Sequence, residues 1–150
     1  MTNVLLIRPK PHKDTIGLKH VMICEPLELE YLVSNLEPAL AGDYNLIIID
    51  MLLDRTKLAT HLEQHSPSAV LFTGYNTHVN LIKAFSKEIK AHDPRIITAV
   101  GGVHVEVVPD DFKDPHIDVL LWKNGIDAFN ILLKGLKAQT PRSEEHTSEL

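Results

Sequence analysis

Ile96–Gly102 reads IITAVGG. A run of β-branched and small residues without polar alternation suits a strand covered on both faces, and the glycine pair sets a tight turn directly at its end. The same pattern recurs on either side. Ala69–Thr73 (AVLFT) runs into Gly74, Tyr44–Asp50 (YNLIIID) precedes it, and Val4–Arg8 (VLLIR) is closed by Pro9. After the glycines, Val119–Trp122 (VLLW) is a fifth short run. Helical periods lie between them. Pro26 opens one through about Leu40, with Leu29, Leu32, Val33 and Leu36 on one face. Others cover Thr56–Gln64, His78–His92 (apolar at Val79, Ile82, Phe85 and Ile89) and Ala128–Lys137. Lys10–Ile23 is a long polar loop.

Five strand–helix units with near-continuous apolar strands predict an α/β domain. Its expected form is a doubly wound, five-stranded parallel sheet of flavodoxin-like kind in the order 2-1-3-4-5, with right-handed crossovers placing helices on both faces. The 150 residues suit one such domain, and 44% hydrophobic with 23% charged residues is an ordinary globular balance. The net charge of −5, with no basic run interleaved with aromatics, gives no indication of nucleic acid. No apolar run approaches the roughly 20 residues of a membrane helix, and Arg8 and Pro9 break any signal-like pattern at the start. The single cysteine, Cys24, fits a reducing cytoplasm and is expected as a small buried hydrophobe rather than a nucleophile.

In open α/β sheets, ligands bind beyond the carboxyl ends of the strands. The residues expected there are Arg8 and Pro9, Thr73, Gly74, Tyr75 and Asn76, Gly101, Gly102, Val103 and His104, and Gly125. Thr73 can donate a hydroxyl hydrogen bond, and Gly101–Gly102 lets a ligand approach the backbone; a simple tight turn explains the glycines equally well. His104 suits either a ligand contact or a loop cap. His61 and His65 share a helix face, but with no third ligand nearby they read as a solvated polar face. Trp122 and Phe129 are expected in the core or an interface. Asp50 and Asp54 do not make a phosphoacceptor pocket, because Arg8–Pro9 and Thr73–Gly74 stand where its acids belong.

The order VLLIRP, PLELEYL, IIID, TGY, AVGGVHVEVVP, IDVLL and NGIDAF resembles cobalamin-binding domains, and most closely those at the N-terminus of cobalamin-dependent radical SAM enzymes. The resemblance runs from Val4 to Leu136; its most specific piece is GGVH followed by Pro109 and by Asp118 before the fifth strand. It implies that Thr73–Asn76 line a pocket for the nucleotide tail of cobalamin, and that Gly101–Gly102, 25 residues further on, make room for that tail. The D-x-H-x-x-G motif that brings a histidine to cobalt is absent, since His12 is followed by KDTIG. The expected cofactor is therefore base-off cobalamin without a histidine ligand. Lys123–Asn124–Gly125–Ile126 replaces the G-E-G-E run that is common after strand five. The resemblance further implies a methyltransferase whose 4Fe-4S cluster and S-adenosylmethionine belong to a radical SAM domain downstream. One cysteine cannot supply three cluster ligands, so the chain by itself is expected to be inactive. The rival reading is a non-catalytic module for a flavin or nucleotide, weakened by the absence of G-x-G-x-x-G after the first strand.

Arg142–Leu150 (RSEEHTSEL) is unlike the rest: polar, without a hydrophobic period, and similar to one reading frame of a sequencing adapter. The domain is accordingly expected over residues 1–141, with a non-native tail at 142–150 and the radical SAM domain missing. Without one arginine and three glutamates of the tail, the net charge moves from −5 to −3. A segment with no apolar face packs against nothing. Amide hydrogens of residues 142–150 should exchange at unprotected rates, and exchange as slow as that of the strands would contradict this reading.

Overall fold

A computed structural model of the chain describes residues 1–15 and 24–139. The proposed tail and most of the loop ending at Ile23 lie outside the described residues. The strands are β1 (Thr2–Arg8), β2 (Tyr44–Asp50), β3 (Ala69–Thr73), β4 (Ile97–Gly101) and β5 (Val119–Leu120). The helices are α1 (Leu27–Ser34), α2 (Leu58–His65), α3 (Val79–His92), α4 (Val103–Val107) and α5 (Gly125–Gln139). The five strands form one parallel sheet in the order β2-β1-β3-β4-β5, as expected for the doubly wound fold.

Side chains alternate across a strand, so a strand buried on both faces must be apolar at every position. In β1, Leu5 and Ile7 enter a core with Leu62, Phe72, Ile82 and Ile89, while Val4 and Leu6 enter a second core with Leu29, Leu71, Phe129 and Leu133. The first core lies under α2, α3 and α4, the second under α1 and α5. The register Ile7↔Phe72 and Thr73↔Gly101 brings the carboxyl ends of β1, β3 and β4 to one edge. Among the described residues no helix is long and apolar enough to cross a membrane.

Several boundaries differ from expectation for identifiable reasons. The first helix ends at Ser34 rather than near Leu40. Pro38 has no N–H for a helical bond, and Asn130 of α5 takes the freed backbone: its Oδ1 accepts the Glu37 N–H at 2.9 Å and its Nδ2 donates to the Asn35 carbonyl at 3.2 Å. Helix α5 begins at Gly125, ahead of Ala128, because the Asn124 side chain accepts the Asp127 N–H at 3.4 Å. Helix α4 was not expected, its VHVEV being β-branched at alternate positions. Cys24 is exposed, not buried. His61 is buried at 6% exposure, stacked on His65 and 3.2 Å from Asp54, so it is not part of a solvated face. Phe129 is fully buried, whereas Trp122 is 47% exposed.

At the amino edge, Asp118 ties β5 to β4. Its carboxylate accepts from Lys90 Nζ at 2.5 Å, the Thr98 N–H at 2.9 Å and the Thr98 hydroxyl at 3.1 Å. Burial pushes this carboxyl up, but the Lys90 ammonium and the Thr98 bonds outweigh it and hold it below the usual range. A lowered folded pKa stabilises the fold above the unfolded value of about 3.9, and that contribution fades as pH falls through the folded value. Asp118→Ala should cost about 2 kcal/mol at neutral pH. In denaturant melts, the gap from wild type should close progressively below about pH 4.

Candidate functional site

A cavity of about 320 Å³ opens at the carboxyl ends of β3, β4 and β5, between the start of α1 and the start of α5. Leu29 and Leu32 of α1, Leu71 of β3, Leu121 after β5 and Ile126 of α5 supply apolar walls. Thr73, Gly101 and Gly102 lie where the strands end, with Val103 and Gly125 alongside. Five of the residues expected from the sequence therefore meet in one cavity: Thr73, Gly101, Gly102, Val103 and Gly125.

The glycine pair has two distinct jobs. Gly102 has φ +110°, in the region that favours glycine, and a Cβ there would sit 3.1 Å from both the Gly74 carbonyl and Thr73 Oγ1. It is held between β4 and β3, where the Gly74 N–H donates to the Gly101 carbonyl at 2.9 Å. Gly101 does not have a positive φ, and a Cβ there would meet Leu121 Cβ at 3.4 Å, ordinary contact. Gly74 is a packing glycine: a Cβ would press on Ile82 and Phe112 at 2.9 and 3.0 Å.

The remaining expected residues are placed otherwise. Arg8 is committed to Asp50: its Nε donates to Oδ1 at 3.0 Å and its Nη2 to Oδ2. Pro9 is buried beside it, and Asn76 is exposed in the single 3₁₀ turn before α3. His104 turns to Asp111 at 2.7 Å and packs edge-on to Phe112, outside the cavity lining. Tyr75 stands at the rim, 42% exposed, and its hydroxyl donates to Glu28 Oε1 at 2.6 Å. That bond, then burial, pushes the phenol up to about 12, so it is neutral at ordinary pH. His78 is buried and its Nδ1 accepts the Tyr75 N–H at 3.2 Å; burial lowers its pKa.

Glu28 is the main site residue that reading the sequence missed. It lines the cavity from α1 and accepts from Thr73 Oγ1 at 3.2 Å as well as from Tyr75. The available signal was its position one helical turn before Leu32, which puts an acid on the apolar stripe. Glu106 and Asn124, also in the lining, were missed too. Glu106 Oε2 accepts the Lys123 N–H at 3.1 Å and closes the β5–α5 turn, where Lys123 and Asn124 have φ 51° and 46°. Among the described residues, no lysine, arginine or histidine lines the cavity. Across the sheet, a polar hollow of about 420 Å³ is bordered by Lys10, Asp54, Arg55, Lys57 and Glu88, charges of both signs. Among the described residues no cluster of three His, Cys, Asp or Glu side chains could hold a metal ion.

A doubly wound sheet with an apolar crevice at its carboxyl edge defines a small-molecule-binding α/β domain. The chain belongs to the B12-binding domain family, whose model matches residues 14–133, and its ligand class is cobalamin. No curated protein matches the sequence. Among solved structures, a CheY-like protein, TadZ from Pseudomonas aeruginosa, superposes with a TM-score of 0.63 at 10% identity, covering 94% of this chain and 97% of that one. The response regulator RcsB of Salmonella typhimurium gives 0.52 at 18% identity, covering 91% and 58%. These two likenesses are of fold alone.

The glycine geometry gives a direct test of which position the backbone requires. Gly102→Ala should lower stability by about 1–3 kcal/mol, because it combines a positive φ with a close contact. Gly101→Ala should change it by less than about 1 kcal/mol, as for an unstrained site. Thermal melts of the two variants compare them directly.

Proposed function

We propose that the cavity receives the nucleotide tail of cobalamin, with the dimethylbenzimidazole base displaced from cobalt and no histidine taking its place. One observation carries the reading: the strand-end glycine pair and Thr73 open onto an apolar cavity large enough for a planar aromatic base. Leu29, Leu32, Leu71 and Leu121 would cover the faces of the base. The N-terminus of α5, where Gly125 lines the cavity, offers the positive end of a helix to the tail phosphate. Thr73 in the lining and Tyr75 at the rim give their hydroxyl hydrogens to Glu28, so their oxygens would accept from the polar groups of the tail, with Asn76 just beyond Tyr75. His104 and Arg8 would act indirectly, by fixing the loops after β4 and β1. The absence of D-x-H-x-x-G after β1 supports the no-histidine assignment.

We further propose that the domain comes from a cobalamin-dependent radical SAM enzyme, a methyltransferase, whose cluster and S-adenosylmethionine are held by a domain following residue 141. The GGVH stretch, Pro109 and the missing histidine motif support that parentage. When bound, cobalamin supplies a methyl carrier; this chain's residues hold and orient it. The exposed side chains of Leu53, Tyr75, Val103, Val107 and Trp122 give the carboxyl edge an apolar rim suited to the corrin and a covering domain. A flavin or nucleotide module is less well supported, since G-x-G-x-x-G is absent after β1 and the family match is to cobalamin-binding domains.

Gly102 is unsuitable for testing the tail seat, because its positive φ would mix strain with occlusion. Gly125 has no positive φ, and a Cβ there meets nothing within 4 Å. Gly125→Leu should keep the fold and weaken hydroxocobalamin binding about tenfold or more by filling the cavity mouth. Visible-absorbance titration measures the affinity, and unchanged affinity in the folded variant would remove the tail seat. Electron paramagnetic resonance of the cobalt(II) form should show no nitrogen splitting from an axial base or histidine.

A further inference from the structure

We propose that Glu28 makes the cavity select among corrinoids by their lower base, favouring one that carries an N–H donor, such as adenine, over dimethylbenzimidazole, which carries none. The inference rests on the cavity being the tail seat. Three features of the site support it.

First, the side chains that supply polarity to the lining are dominated by acceptors. Glu28 and Glu106 are both carboxylates, and the Thr73 hydroxyl hydrogen is directed to Glu28. The Asn124 amide is turned to Asp127, its Nδ2 donating to Oδ2 at 2.7 Å. Second, Glu28 is fixed in place. Tyr75 holds one carboxylate oxygen at 2.6 Å and Thr73 the other at 3.2 Å, so the group has a defined direction. An ionised carboxylate has about four acceptor positions, and these bonds use two. Third, the surrounding wall is apolar: Leu29, Leu32 and Leu71 stand beside the carboxylate. A base that closes this space removes water from the unused acceptor positions of Glu28. Burying a carboxylate without replacement donors is costly, and a bond to a charged acceptor is among the stronger ones.

An exocyclic amine replaces the lost water with N–H bonds. Dimethylbenzimidazole presents methyl groups and no N–H donor; its unprotonated ring nitrogen, like those of adenine, is itself an acceptor. For either base, a ring nitrogen can accept from Thr73 only if the Thr73 hydroxyl turns its hydrogen away from Glu28. The dimethyl base therefore removes water from Glu28 without replacing it, whereas the amine supplies a new donor.

The full chain and its Glu28→Leu variant are titrated, by visible absorbance, with three probes: cobalamin, the same corrinoid with adenine as lower base, and cobinamide, which lacks the tail. Wild type should bind the adenine form about tenfold or more tighter than cobalamin. Glu28→Leu should abolish or reverse that ratio. Glu28→Gln, which keeps the shape and removes the charge, should lower it, and provides the measurement if the leucine variant does not fold. Tail-dependent binding with no preference for adenine, or a preference unchanged in both variants, overturns the selectivity while leaving the tail seat intact. Equal affinity for cobinamide and the two complete corrinoids overturns the tail seat and the selectivity with it.

Discussion

The sandwiching of β1, β3 and β4 between two helical layers constrains everything else in this domain. Away from their ends, side chains on these strands are almost all apolar because both faces are buried, so the sheet interior has almost no place for ligand chemistry. Functional groups are pushed to the strand ends. At the amino edge the polar cluster of Lys90, Thr98 and Asp118 is satisfied internally and closes the sheet. At the carboxyl edge the strand ends instead meet a cavity.

The two ends of the edge also differ from one another. On the β1–β2 side, Arg8 and Asp50 neutralise each other at 12% and 13% side-chain exposure, and neither is directed at the cavity. On the β3–β4–β5 side, small residues replace charged ones. Gly102 keeps the strand ends in close contact, and the apolar side chains of α1 and α5 surround the space beyond them. The cavity thus belongs to the α1–α5 face, and the α2–α3 face supports the sheet from behind.

The strands, their order and the cavity edge were legible because they rest on local signals: apolar runs, and glycines where runs stop. Thr73, Gly101 and Gly102 follow directly from that logic. What remained hidden depends on partners distant in sequence. Glu28 meets Thr73 across 45 residues; its place one turn before Leu32 puts it on the apolar stripe, but nothing local says which partner it meets there. Arg8 is at the right edge, but its guanidinium is spent on Asp50, a pairing set by the β1–β2 register. The early end of α1 depends on Asn130 in α5, 95 residues from Asn35 and 93 from Glu37, and so no helix-stop signal short of Pro38 announces it. Helix α4 was obscured because five residues with alternating valines match a strand period as well as a single helical turn.

Helix α1 has eight residues, and its N-cap makes no side-chain hydrogen bond. A segment that short has little helicity of its own in water; its order comes from the surface it packs on. Because Leu29 and Leu32 are both wall and anchor, whatever fills the cavity enlarges that surface. The free energy of ligand capture and that of helix docking are therefore linked: part of the intrinsic affinity is spent on holding α1 in register, and the bound domain gains resistance to local opening on that side of the sheet.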